Sequence, residues 1–279
     1  MKILVVGPSW VGDAVMAQSL YKLILKETKN KIDVLAPKWT LGVLDRMKEV
    51  ETSICSPFDH GEFKFCKRVE FGRSMKSRSY DQAIILTNSL KSAVIPYFSK
   101  IPKRTGWLGE MRYGLINDIR KFDRTKDTLM IEKFAVLADD ISNKNIEIPW
   151  PSLSINTDNL LRLSNNFSFD IERKTLSICP GAEFGPSKRW PTHYFAEVVL
   201  NYLSKDWQVF ILGSSKDVKI SSEIKEKVPA QYHQNLFNFT GSTKIVDAID
   251  ILSNSNLVLT NDSGLMHIAA AVDSKLLAL

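Results

Sequence analysis

The sequence predicts an α/β protein built as two doubly wound domains, and three observations carry that reading. A short apolar run at 2–6 ends in a glycine-containing turn and passes into a helix-period stretch. The same order restarts at 175, and between the two, over 142–174, the rhythm stops. Strands alternating with helices give parallel sheets, and 279 residues suffice for two such domains of ordinary size.

The first strand is Lys2-Ile3-Leu4-Val5-Val6, the turn covers 7–13, and a helix is expected from about 14 to 26. A second strand at 32–35 is closed by Pro37. The buried run 81–86 reads as another, followed by Thr87-Asn88-Ser89 and a helix. Pro149-Trp150-Pro151 and the polar run Asn156-Thr157-Asp158-Asn159 mark an inter-domain segment. The expected division is therefore a domain over 1–155, a linker over 156–174 and a domain over 175–279. The second domain opens with a strand at 175–179, a Pro/Gly-rich loop at 180–191 and a helix from near Thr192. A strand at 208–212, a helix at 247–253 and a strand at 256–260 follow. The run 274–279 reads as a strand just beginning, so the second domain is expected to be truncated there.

Hydrophobic content of 44% and charged content of 24% are those of a soluble globular protein. No apolar run approaches the roughly 18 residues of a membrane span, so any membrane contact is expected to be peripheral. The net charge of +6 suits an anionic partner, but also a merely lysine-rich chain. No recognised nucleic-acid module is present, and no nucleic-acid partner is expected. Cys55, Cys66 and Cys179 lack CxxC or Cys/His spacing and read as reduced cytosolic thiols.

Chemistry concentrates at strand ends. After the apolar run 257–259 comes Thr260-Asn261-Asp262-Ser263-Gly264-Leu265-Met266-His267, a turn into a small-residue helix. Ser263 and Gly264 would offer backbone N–H groups to an anion at the helix start. Asp262 would repel a phosphate but can hold sugar hydroxyls, and the combination suggests a sugar nucleotide. Gly7-Pro8-Ser9-Trp10-Val11-Gly12-Asp13 lies where open α/β sheets gather ligands. It lacks the GxGxxG spacing of a dinucleotide fingerprint, which disfavours a dehydrogenase. Asp13 at the helix start reads either as a general base or as an ordinary N-cap.

In 180–191, Lys188 and Arg189 can neutralise a diphosphate leaving group, or be a solvated basic loop. His267 follows Ser263 by one helical turn and reads as a phosphate or sugar contact or as structural. No metal-ligand spacing or Asp-x-Asp is found, so no metal is expected. A basic run (Lys64, Lys67, Arg68, Arg73, Lys76, Arg78) and Lys103, Arg104, Arg112 and Arg120, with Trp107 and Tyr113 between them, form a candidate surface for an anionic acceptor. A solvated lysine-rich face is the alternative.

Four stretches, in this order, resemble the bacterial heptosyltransferases of glycosyltransferase family 9 that build the inner core of lipopolysaccharide. They are 7–13; Thr105-Gly106-Trp107 with Glu110-Met111-Arg112-Tyr113-Gly114-Leu115-Ile116-Asn117-Asp118; 180–191; and 260–271. The resemblance runs almost end to end. It implies the GT-B architecture, two Rossmann-like domains facing across a cleft, the first binding acceptor and the second the ADP-sugar, with closing helices beyond Leu279. It also implies an inverting, metal-independent transfer that uses no cofactor. L-glycero-D-manno-heptose would pass from ADP-heptose to the first heptose of the lipid A–Kdo inner core. The enzyme would be cytoplasmic and peripheral on the inner membrane.

Under the resemblance, Asp13 matches the catalytic base. Lys188 matches the lysine on the donor phosphates, Asp262 the aspartate on the donor sugar, and Ser263 and Gly264 the diphosphate N–H donors. His267 matches the histidine one turn later, and Glu183 belongs to the same loop motif as Lys188. Ser9, Trp10, Gly12 and Arg112 fall on the acceptor side. A sibling heptosyltransferase with another core acceptor, and a non-catalytic nucleotide-sugar-binding relative, are the alternatives.

Overall fold

The computed structural model describes residues 1–59, 61–120, 129–138, 147–183 and 185–279. They form two compact units, Met1–Pro151 and Ser152–Leu279.

In the first unit, β1 (Ile3–Val6), β2 (Ile32–Ala36) and β4 (Gln82–Ile85) are buried at every position. A strand with no exposed residue is covered on both faces, as a parallel sheet flanked by helices requires. With β3 (Val50–Cys55), β5 (Lys103–Trp107) and β6 (Asp118–Arg120) they make a six-stranded sheet in the order β3-β2-β1-β4-β5-β6. Every pairing in it is parallel. The crossovers carry α1 (Val11–Met16), α2 (Gln18–Thr28), α3 (Lys38–Leu44), α4 (Phe65–Ser74) and α5 (Leu90–Phe98), and α6 (Met130–Ala135) follows β6.

The second unit opens with α7 (Thr157–Phe167) and β7 (Thr175–Cys179). It continues through α8 (Thr192–Leu203), β8 (Gln208–Ile211), α9 (Val218–Glu226) and β9 (Leu236–Asn238). The last described elements are α10 (Ile245–Ser253), β10 (Leu257–Thr260), α11 (Gly264–Ala271) and β11 (Leu276–Ala278). Its parallel sheet runs β11-β10-β7-β8-β9. The core packs Phe195, Val199 and Leu203 of α8 on Leu176, Ile178, Val209 and Ile211.

Both sheets reverse their strand order beside their first strand: β4 returns to the far side of β1, and β10 to the far side of β7. Ligands of open α/β sheets bind outside the carboxyl ends of the strands at such a reversal. That rule singles out 7–13 with 86–89 in the first unit, and 180–191 with 261–264 in the second.

Two expectations are corrected. Residues 156–174 are no linker, because α7 belongs to the second unit, whose boundary falls after Pro151. The polar run read as linker is a cap and clamp. Asn156 Oδ1 accepts the Asn159 N–H at 3.1 Å, while its own N–H donates to Asp250 at 2.8 Å. Asn159 Nδ2 donates to Asp247 and Asp250 at 3.1 and 2.7 Å, which pins α7 to α10. The first helix also starts earlier, at Val11, and breaks at Ala17, so Asp13 sits inside its first turn rather than before it.

Candidate active site

In the first unit the reversal point opens into a cavity of about 1420 Å³. Its wall includes Gly7, Pro8, Ser9, Trp10 and Asp13 from the β1–α1 turn, and Thr87, Asn88, Ser89, Lys91 and Ser92 from the start of α5. Phe58, Ile95, Trp107 and Phe134 supply apolar surface, and Arg68, Arg120 and Lys133 supply cations. Trp107 packs on Phe134 with ring centroids 6.2 Å apart, and its indole nitrogen is buried with no partner among the described residues. Asp13 lies in the first turn of α1, where the helix dipole favours a carboxylate. The Trp39 indole donates to the Ser9 carbonyl at 2.7 Å, which fixes the turn from behind. An ionised carboxylate on the wall of a roomy, partly apolar cavity can take a proton from a bound hydroxyl.

Of the four residues expected on the acceptor side, Ser9 and Trp10 line this cavity, whereas Gly12 and Arg112 do not. Gly12 is buried within α1. Arg112 has no exposed surface. Its guanidinium donates to the carbonyls of Thr87 (2.7 Å), Ser89 (3.2 Å) and Trp107, and to Ser92 Oγ at 3.1 Å. Burial pushes it down to about 10, with the charge of Glu110 opposing that shift, so it stays cationic at neutral pH. Arg112 is thus a clamp that holds the 87–89 turn in place: both terminal nitrogens of its guanidinium donate to the chain itself, while Nε is buried with no partner among the described residues. Glu110 completes the clamp by accepting the Leu90 N–H at 2.7 Å at the start of α5. The opposite charges two residues apart are the sequence signal for this clamp.

The basic run divides in the same way. Arg68 is buried over the Phe58 ring (4.1 Å) and donates to the Phe63 and Glu62 carbonyls, and Arg104 donates to Leu115 and Ile101 carbonyls. Lys67, Arg73, Lys76 and Arg78 remain exposed.

In the second unit the loops after β7 and β10 meet. Lys188 sits on a short 3-10 turn, and its Nζ lies 2.6 Å from Asp262 Oδ2. Both side chains are about half exposed, and such surface pairs contribute only about 0–1 kcal/mol. A diphosphate can therefore draw Lys188 away at little cost. Asp262 leads into Ser263, the N-cap of α11, and Gly264, its first residue. The first turn of a helix has N–H groups without intrahelical partners. His267 follows one turn later on α11. Glu183, expected beside the donor, pairs with Lys216 at 2.5 Å, and both side chains are exposed.

Asn261 has a structural role that its place in a turn motif does not reveal. It is buried, donates to the Pro180 carbonyl at 2.7 Å and accepts the Trp190 N–H at 3.1 Å. It therefore fixes both ends of the loop that carries Lys188. Gly181 is required on steric grounds: a Cβ there would lie 2.6 Å from the Asp217 carboxylate. Asp217 in turn accepts the Ser214 N–H and hydroxyl at 2.9 and 2.7 Å.

The model of glycosyltransferase family 9 (heptosyltransferase) matches residues 68–279. The chain belongs to this family. Lipopolysaccharide heptosyltransferase 2 of Salmonella typhimurium is 42% identical over 286 residues, covering 100% of this chain and 82% of that protein. Lipooligosaccharide heptosyltransferase 2 of Haemophilus influenzae is 41% identical over 288 residues, covering 100% and 83%. The solved structure of E. coli ADP-heptose lps heptosyltransferase II has a TM-score of 0.93 and 40% identity, covering 100% of this chain and 84% of that one. This heptosyltransferase-family chain is a glycosyltransferase with the two-unit α/β architecture of the GT-B class. The resemblance read from the four motifs is thereby confirmed at the level of family, fold and enzyme class.

Proposed function

We propose that the chain transfers L-glycero-D-manno-heptose from ADP-heptose to the first heptose of a lipid A–Kdo inner core, with inversion at the anomeric carbon. The observation that carries this reading is identity of 42% to a lipopolysaccharide heptosyltransferase 2 along the whole chain. The geometry supports a division of labour. Asp13, on the wall of the first-unit cavity, takes the proton of the attacking acceptor hydroxyl. Lys188 and the N–H groups at the start of α11 neutralise the departing ADP, a charge that develops fully only as the sugar leaves. Asp262, released from Lys188, turns to the hydroxyls of the donor sugar, and His267 approaches the same group. Ser9 and Trp10 shape the acceptor subsite, and the enzyme works at the face of the membrane that holds its acceptor.

The test is ADP release with ADP-heptose and either a mono-heptosylated Kdo–lipid A or the same acceptor lacking heptose. Release with the first and not the second is expected. Preference for the heptose-free acceptor would assign a sibling specificity, and ADP binding without release on any core acceptor would mean a non-catalytic relative.

A further inference from the structure

On the outside of the first unit, Phe63 and Phe65 stack with ring centroids 5.9 Å apart. Phe65 meets Phe98 edge-on at 6.2 Å, and Phe98 meets Tyr97 at 5.2 Å. Phe63, Phe65 and Tyr97 are 49%, 44% and 38% exposed, so the four rings form a continuous aromatic ridge open to solvent. Contiguous apolar surface of this kind marks a site of interaction more often than scattered exposed residues do.

The rim of the ridge is cationic. Arg73 lies over the Phe98 ring at 6.0 Å, and Lys100 and Arg104 over the Tyr97 ring at 5.9 and 5.4 Å. Lys67 and Lys76 are exposed nearby in sequence. Residues 62–104 hold ten Lys or Arg against three Asp or Glu, so the rest of the chain is close to neutral although the whole carries +6. The cavity wall uses only Arg68 and Lys91 of these cations. Aromatic rings among Lys and Arg suit the headgroup layer of an anionic bilayer: the rings enter the interface and the cations meet lipid phosphates. A second copy of this chain would instead bring two cationic rims together.

We propose that the Phe63–Phe65–Phe98–Tyr97 ridge seats the first unit on a membrane surface rich in anionic phospholipid. The inference rests on the reading above, in which the acceptor is lipid-linked. No helix among the described residues is long and apolar enough to cross a membrane, and contact through this ridge is interfacial. Helix α5 links the two surfaces, with Lys91 and Ser92 of its first turn on the cavity wall and Tyr97 and Phe98 at its other end. At 1.5 Å per residue those ends are about 10 Å apart, so the acceptor subsite stands close to the lipid in which its substrate is rooted.

The experiment is co-sedimentation of the full chain with vesicles of phosphatidylcholine alone or mixed with phosphatidylglycerol, at rising salt. Binding to the anionic vesicles only, weakened by salt, is expected. Lys67→Gln/Arg73→Gln/Lys100→Gln should lower the partition coefficient about a hundredfold, at about fivefold per charge. Phe63→Ser/Phe65→Ser should lower it about tenfold. Both variants should keep the wild-type rate on a water-soluble, deacylated acceptor and lose rate on a vesicle-embedded one. Equal binding to neutral vesicles, or unchanged binding in both variants, would overturn the proposal. So would self-association abolished by the Phe variant without vesicle binding, which would assign the ridge to a second copy. Vesicle binding with no heptosyl transfer to either acceptor would leave the surface standing and sink the functional reading instead.

Discussion

The two reversal-point crevices share one strand order and differ in nearly everything built on it. In the first unit, the turns after β1 and β4 stand apart around a cavity of about 1420 Å³ walled by Phe58, Ile95, Trp107 and Phe134. Among the described residues of its wall, Asp13 is the carboxylate set in the first turn of a helix. In the second unit, the turns after β7 and β10 are laced together: Asn261 bridges Pro180 to Trp190, and Lys188 holds Asp262. Gly181 is tight against Asp217, and the Gly241 N–H donates to the Gly213 carbonyl. Topology decides where a ligand goes, and the loops decide which ligand. A wide crevice with apolar walls suits a bulky glycolipid headgroup. One with backbone donors and a lysine held by a weak, exchangeable pair suits a diphosphate.

Perturbing one crevice should therefore leave the other's function intact. The largest effect is expected from Asp13→Asn, which should lower kcat about a thousandfold in steady-state ADP release. Next comes the lysine–aspartate pair. Lys188→Ala should weaken ADP binding about a hundredfold by calorimetry, whereas Asp262→Asn, which frees Lys188, should leave ADP affinity equal or tighter and still slow sugar transfer. Equal losses of ADP affinity in the two variants would mean that the pair, rather than the lysine, holds the diphosphate.

Arg112→Lys probes the clamp. It keeps the charge but loses the fork that serves Thr87, Ser89, Ser92 and Trp107, and it should cost about 3 kcal/mol in denaturant unfolding. KM for acceptor should stay near wild type in the folded fraction. A raised KM at unchanged stability would restore Arg112 to the acceptor side.

The smallest effect concerns Cys179 at the end of β7. Burial pushes this thiol up to about 12, from an ordinary value of 9.0. The folded chain keeps a proton that the unfolded chain loses, so the contribution is whole below pH 9 and is lost as pH rises toward 12. Stability should fall by about 1 kcal/mol between pH 8 and 10, and the fall should shrink in Cys179→Ala. Cys55 and Cys66, both exposed, should alkylate first.

Legibility in the sequence followed burial. Strands buried at every position, such as the apolar run Ile3–Val6 and the β-prone Thr175–Cys179, match the sequence expectation within a residue. Val50–Cys55 and Lys103–Trp107 carry exposed or half-exposed polar residues, lack the apolar run and went unread. The polar run at 156–159 was read as a linker because Asn and Asp favour loops and helix caps alike, and only the partners on α10 decide between them. At the candidate site, Asp13, Lys188 and Asp262 are legible from their chemistry as residues of the two strand-end crevices, where the structure places them. Residues that face the chain are not. The partners of Arg112 and Asn261 are chiefly backbone groups, which a sequence does not display, so neither one's hold on its loop is legible from residue type alone.

The most direct test sets Asp13→Asn beside Lys188→Ala, with kcat measured at saturating substrates and ADP affinity by calorimetry on the same preparations. The account predicts a crossed result: Asp13→Asn loses turnover and binds ADP as the wild type does, while Lys188→Ala binds ADP about a hundredfold more weakly. ADP affinity lost in Asp13→Asn, or retained in Lys188→Ala, would contradict the division of acceptor and donor chemistry between the two units.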